Sequence, residues 1–341
     1  MQHKMRLTML AVAAVTAMTI NPAVAQLYAG KKVNLIVGSP PGGGYDFYSR
    51  MLSRHMPKYL PGKPSIIVQN MPGAGSMKAA EYLYSIAPKD GTTFGIVFPG
   101  ALVEPLFDNK RKFRFTPAKF EFLGSIDSGV RLCVTHGGSK IKTFDDALKM
   151  QSSFGGSGPG SSTTDYAQFL NILAGTKIKI VNGYKGSRTT INAMERNELD
   201  GICGLDSGSF QAMKPDWYKD RKLANMIVQT SITPDPELEK LGVPSLWKYV
   251  SGENRKVAEL ILAQQEFHRP YLAPPGTSAP HLAALRKAFD DVVKDKDMLA
   301  EAGKAKLDIN PKDAATVGKL ITGMYGAPEA LVAKARQALG R

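Results

Sequence analysis

A chain of 341 residues, 43% hydrophobic and 22% charged, is long enough to bury roughly two cores and too apolar to stay disordered. Its formal charge of +14 suits an anionic partner, but the basic residues are scattered. KKV, KRK and KAK are the densest clusters, and no aromatic-interleaved basic repeat accompanies them, which excludes nucleic acid as the expected partner.

The first element is an export signal. Residues 1–25 combine Lys4 and Arg6, an apolar run from Leu7 to Ile20, and Ala23-Val24-Ala25, the pattern of a signal peptide cut before Gln26. The run is shorter than the roughly 20 residues that span a bilayer, and no later stretch is long enough. Cleavage lowers the charge from +14 to +12, because Lys4 and Arg6 leave and no acid does. The expected location is the periplasm, without a lipid anchor, since no cysteine stands at the cut.

Short β-branched runs then alternate with longer helical patterns, which predicts an α/β architecture with mostly parallel sheets. The predicted strands are 33–37, 65–69, 93–98, 131–135, 177–181, 201–205 and 225–229. After the first of them comes VGSPPGGGYD, a glycine turn opening a helix in which Phe47, Met51 and His55 share one edge and Tyr48, Leu52, Met56 and Tyr59 the next. After the second comes NMPGAGS, and after the third the turn 98–101. Residues 154–173, FGGSGPGSSTTDYAQFLNIL, repeat the grammar of glycine turn and helix, with Tyr166, Phe169, Leu170 and Leu173 apolar. Thr277, Ser278 and Pro280 open a further helix over 279–293. No low-complexity linker divides the chain. Breaks near 123–129 and 267–274 predict two interleaved lobes joined by two crossings.

Strand, glycine turn and helix is a geometry for holding an anion, because first-turn N–H groups lack intrahelical acceptors and the helix dipole adds about half a positive charge. An anionic group on the N–H groups around Gly42 to Tyr45 is therefore expected. Phosphate signatures fail: GGSGPGSS has Ser161 where a Walker loop needs lysine, and neither loop matches G-x-G-x-x-G. No G-x-S-x-G elbow, H-E-x-x-H or close ligand pair occurs, so neither a catalytic centre, a metal nor a cofactor is expected. His55, His136, His268 and His281 read as surface or half-buried helix residues. Arg188, at a helix start in YKGSRTT, suits a bidentate carboxylate contact or a solvated helix end. Cys133 and Cys203 sit in strand-like runs and fit either one disulfide or two buried thiols.

In order and spacing, VNLIVGSPPGGGYD, N-x-P-G-A-G at 70–75, APKDGTTFGIV at 87–97, the serine-glycine loop at 157–161, GYKGS at 183–187, LD at 199–200 and APPGT at 273–277 resemble the substrate-binding proteins of tripartite tricarboxylate transporters, the Bug-type periplasmic receptors. The resemblance runs from about Lys32 to about Ile321. It implies a two-lobed periplasmic-binding-protein fold that closes on one small organic acid, with no enzymatic turnover and a monomeric chain serving transporter membrane subunits. The lobes would be 26–126 with 268–341, and 127–267. Pro41, Gly42, Gly43, Gly44, Tyr45 and Asp46, then Gly73, Ala74, Gly75 and Ser76, would hold the carboxylate, with Pro99 beside them. Ser157, Gly158, Gly160, Ser161 and Ser162 would close from the other lobe, with Tyr184, Arg188 and Asp206. Three departures bear on the ligand: Tyr45 replaces a small hydroxyl residue, Met71 an arginine, and Thr164 and Asp165 stand where a histidine often follows. A citrate-like ligand is therefore not assumed. The alternatives in the sequence are a secreted α/β hydrolase or transferase using the same cleft, and a receptor feeding a sensor kinase.

Overall fold

The computed structural model describes residues 26–341; the expected signal peptide lies outside them. The strands are β1 (Lys32–Val37), β2 (Ser65–Asn70), β3 (Thr93–Ile96), β4 (Glu121–Ser125), β5 (Arg131–His136), β6 (Ser152–Gly156), β7 (Ile178–Asn182), β8 (Gly201–Asp206), β9 (Ala224–Thr230), β10 (Pro270–Ala273) and β11 (Lys312–Asp313). They form two sheets flanked by helices, ordered β11-β4-β10-β3-β1-β2 and β7-β6-β8-β5-β9. All seven predicted strands are present. β4, β6, β10 and β11 are additional, and β6 (SSFGG) and β10 (PYLA) carry little of the β-branched alternation that marks a strand.

The expectation of mostly parallel sheets is corrected: both are mixed. β1 runs parallel to β2 and β3, and β6 parallel to β7 and β8. β10 is antiparallel to β3 and β4, and β5 to β8 and β9. Connectivity is the cause. The chain leaves the first sheet after β4 to begin the second at β5, and leaves the second after β9 to return as β10, so the crossing strands enter against their neighbours. The two crossings lie side by side: the Ile126 N–H donates to the Arg269 carbonyl at 3.2 Å, and the Arg269 N–H to Ser125 Oγ at 3.1 Å.

Register decides where the turns emerge. Val37 pairs with both Asn70 and Ile96, so β1, β2 and β3 end level and their three following turns share one edge. Gly156 pairs with Asn182, which places the turns after β6 and β7 together on the other sheet. β8, an interior strand, is buried along its whole length, and so is β9, although it lies at the sheet's edge. Cys133 and Cys203 join β5 to β8 in a disulfide across a sequence separation of 70, a loop whose closure restricts the unfolded chain by about 4 kcal/mol. One apolar cluster takes Ile36 and Leu272 from the first sheet and Cys133, Phe154 and Val228 from the second.

Candidate ligand-binding site

Between the sheets lies a cavity of about 190 Å³. Four helix N-termini reach its wall: Gly44–His55 and Pro99–Phe107 from the first sheet's side, Ser162–Leu173 and Ser187–Glu195 from the second's. None has a side-chain cap. The Ser161 hydroxyl, at the N-cap of Ser162–Leu173, donates to the Gly158 carbonyl instead. The first-turn N–H groups are thus left for another acceptor, and four dipoles give one small space a positive potential.

Of the residues expected at the ligand, Pro41, Gly43, Gly44, Tyr45, Pro99, Ser157, Ser161, Ser162, Arg188 and Asp206 line this cavity. The others stand behind or beside it. The Gly42 N–H is taken by Asp46 Oδ2 at 2.9 Å, so it is not free for an anion. Asp46 also accepts from Arg50 Nε at 2.9 Å and Asn70 Nδ2 at 3.0 Å, which makes it the anchor of the glycine turn. Burial alone raises its carboxyl, but these bonds outweigh it and hold the group below the usual range. Ser76 Oγ donates to the Gly38 carbonyl at 2.8 Å beneath the turn, while Gly73 and Ala74 are exposed. Gly75 faces Pro159 and Gly160 of the opposite loop. The Gly158 N–H donates to Thr164 Oγ1 and that of Gly160 to Asp165 Oδ1, bracing the second glycine loop. Tyr184 packs against Gly155.

Apart from Asp206, sequence reasoning missed the floor of the cavity. His268, expected at the surface or half-buried, is fully buried, and so is Arg269 beside it. Arg269 bridges Asp127 and Asp206, its Nη2 lying 2.8 Å from Asp206 Oδ1. It also donates to Ser209 Oγ at 2.8 Å and stacks 4.0 Å from the Tyr48 ring centre. Burial alone would raise the Asp206 carboxyl, yet Arg269 and Ser209 hold it well below the usual range. Asp127 goes the other way: burial outweighs Arg269, and its carboxyl is pushed up to about 7. Burial, Arg131 and Arg269 keep His268 well below its ordinary value, hence neutral. Asp127, Asp206 and His268 come close enough to ligate a metal, but the Arg269 guanidinium already occupies the carboxylates.

Tyr45 does not present a free face. Its hydroxyl donates to the His268 carbonyl at 2.7 Å, and its ring meets Phe98 edge-on with centroids 4.7 Å apart. Burial pushes the phenol up to about 12, so it stays protonated. Arg131, the first residue of β5, also lines the cavity and is 5% exposed. Its Nη1 donates to Ser162 Oγ at 2.8 Å and to the Gly204 carbonyl at 2.9 Å. Phe98, Leu205, Pro40, Pro41 and Pro99 make the wall largely apolar.

No protein-family profile and no curated protein matches the chain. Solved structures do. The periplasmic binding protein BugD superposes with a TM-score of 0.71 at 17% identity, covering 90% of this chain and 97% of its own. MatC from Rhodopseudomonas palustris, solved with bound malate, gives 0.67 at 18% identity over 88% and 99%. A second R. palustris protein, solved with adipate, gives 0.70 at 18% identity over 90% and 97%. The chain has the two-lobed α/β fold of these periplasmic binding proteins, the fold that its motif resemblance to the tricarboxylate-type receptors implied.

Proposed function

We propose that the mature chain is a periplasmic receptor. It captures one small organic carboxylate in the cleft between lobes 26–126 with 268–341 and 127–267, and delivers it as a monomer to the membrane subunits of a tripartite tricarboxylate-type transporter. The observation that carries this reading is the convergence of four uncapped helix N-termini, two from each sheet's side, on one cavity. An anion there is held by N–H groups that have no other acceptor, and closure removes water that would weaken each bond. The structural neighbours solved with malate and adipate support the carboxylate class. The glycines of the two facing turns serve by letting the lobes approach. A Cβ on Gly44 would collide with Ser209 Oγ, and one on Gly100 with the Gly160 carbonyl.

The test is binding without turnover. Purified mature protein is screened by thermal shift against mono-, di- and tricarboxylates, with product analysis and small-angle scattering on every hit. A rise in melting temperature, a smaller radius of gyration and unaltered ligand support the receptor. A converted ligand supports an enzyme instead, and no response to any acid, with no anion found by native mass spectrometry of the protein as isolated, removes the proposal.

A further inference from the structure

A buried guanidinium needs a counter-charge, and Arg131 has none. The acids nearest to it, Asp127 and Asp206, are committed to Arg269, and no other carboxylate among the described residues pairs with it. Its Nη1 is satisfied by Ser162 and Gly204. Its Nε is buried without an acceptor, and the other groups within its reach, the Tyr45 and Tyr166 hydroxyls, are neutral and bring no counter-charge. What the guanidinium lacks is therefore an anion: every partner it has is neutral, and where it lines the cavity its planar fork of donors can take a carboxylate. The guanidinium is fixed in plane by its Nη1 bonds and by the Tyr166 ring, whose centre lies 5.6 Å from its carbon. Leaving such a charge dry and unpaired is costly, so the site is completed by an anion.

We propose that Arg131 is the charge-bearing anchor of the ligand, and that the ligand is a small monocarboxylate with an apolar body. This rests on the receptor reading and deepens it. The remainder of the cavity has no second cation at depth without a carboxylate partner: Arg269 is charge-paired with Asp127 and Asp206, and Lys185 and Arg188 are exposed at the mouth. Pro41, Tyr45, Phe98, Pro99 and Leu205 form the wall around the space left. A second carboxylate on the ligand would find only the partial charges of the remaining helix N-termini beside this apolar wall, or be pushed out to the mouth, where an exposed cation returns little. At about 190 Å³ the cavity is below the range of roughly 300–1,000 Å³ that takes drug-sized molecules, so the body is short.

The test compares three matched series by calorimetry: butanoate to octanoate with benzoate, the corresponding dicarboxylates from succinate to suberate with terephthalate, and the amides of the first series. In the unmodified protein at least one monocarboxylate is expected to bind about 10-fold or more tighter than its dicarboxylate, and its amide not measurably. Arg131→Met is expected to weaken that acid about 30-fold or more, and Arg131→Lys, which keeps the charge and loses the fork, to fall between. The acid-to-amide comparison needs no variant to fold. Dicarboxylates binding tighter than monocarboxylates, amides binding as well as acids, or undiminished binding by folded Arg131→Met would each overturn this inference. If those results come with some acid still bound and the protein compacted, the receptor reading stands and only the role of Arg131 fails; no anion bound in any series, citrate included, removes both.

Discussion

Arg188, at the start of the helix Ser187–Glu195, donates its Nε to the Gly42 carbonyl at 2.7 Å, so the first-lobe glycine turn is touched directly by the second lobe. The sequence singled out Arg188 for a carboxylate contact or a solvated helix end; it lines the cavity, and its Nε is engaged by the facing backbone. If the lobes close as proposed, this bond is a clasp on the closed form. Arg188→Ala removes one largely exposed hydrogen bond, so ligand affinity should fall about fivefold. The melting temperature without ligand should not move, provided that the free protein is open. Calorimetry and thermal denaturation of the same variant check the two halves of this statement.

Asp46 predicts the opposite pattern. Three donors, from Gly42, Arg50 and Asn70, converge on one nearly buried carboxylate. Asp46→Ala strands them and should destabilise the protein by about 2–3 kcal/mol, with or without ligand. The pH dependence follows from the direction of its shift. The folded carboxyl lies below 3.8, so its stabilisation is present above that value and is lost as pH falls through the folded value. Melting curves in acid should therefore drop less steeply for the variant than for the wild type below about pH 4.

A second buried cluster titrates in the other direction. Arg341 bridges Glu104, on the helix after β3, and Asp165, on the helix after β6, with Nη2 at 2.8 Å and 2.9 Å from them. Burial and the neighbouring Asp165 push Glu104 up to about 7, Arg341 only partly offsetting them, and burial raises Asp165 as well. Between the unfolded value near 4.5 and about 7 the folded state holds a proton that the unfolded chain has released. Stability should thus decline as pH rises through that window. Glu104→Gln should flatten the decline measured by thermal melts from pH 5 to pH 8. An unchanged slope would assign it to other groups, of which Asp127, also pushed up to about 7, is the foremost.

What was legible in the sequence was local. The turn at Gly42–Gly44 and the loop at Ser157–Ser162 declare themselves because a strand end, missing side chains and an amphipathic helix follow one another within a dozen residues. The floor of the cavity was not legible, because its meaning is relational. His268 and Arg269 look like part of a return loop in EFHRPYL; what buries them is contact with Asp127 and Asp206, 141 and 63 residues away along the chain. Arg131 reads as an ordinary strand start, and its importance comes from what is absent around it. One signal was available: an arginine opening the apolar run LCV directly after a predicted crossing is placed where both lobes meet.

Gly100 separates closure from folding most cleanly. It lies in the first turn of the helix Pro99–Phe107, with ordinary helical geometry, and its α-carbon faces the Gly160 carbonyl of the other lobe. A methyl group there would overlap backbone, which cannot rotate away as a side chain can. In the open protein the same methyl has no such neighbour, and replacing a helical glycine by alanine stabilises by about 0.4–1 kcal/mol through the unfolded chain. Gly100→Ala should therefore raise the melting temperature of the free protein slightly while lowering ligand affinity about 100-fold or more and abolishing ligand-induced compaction in solution scattering. The two effects have opposite signs, so a general loss of structure cannot imitate them. If the variant still compacts and binds as the wild type does, the Gly100–Gly160 approach is not the closed contact, and the cavity between the sheets is not formed by lobe closure.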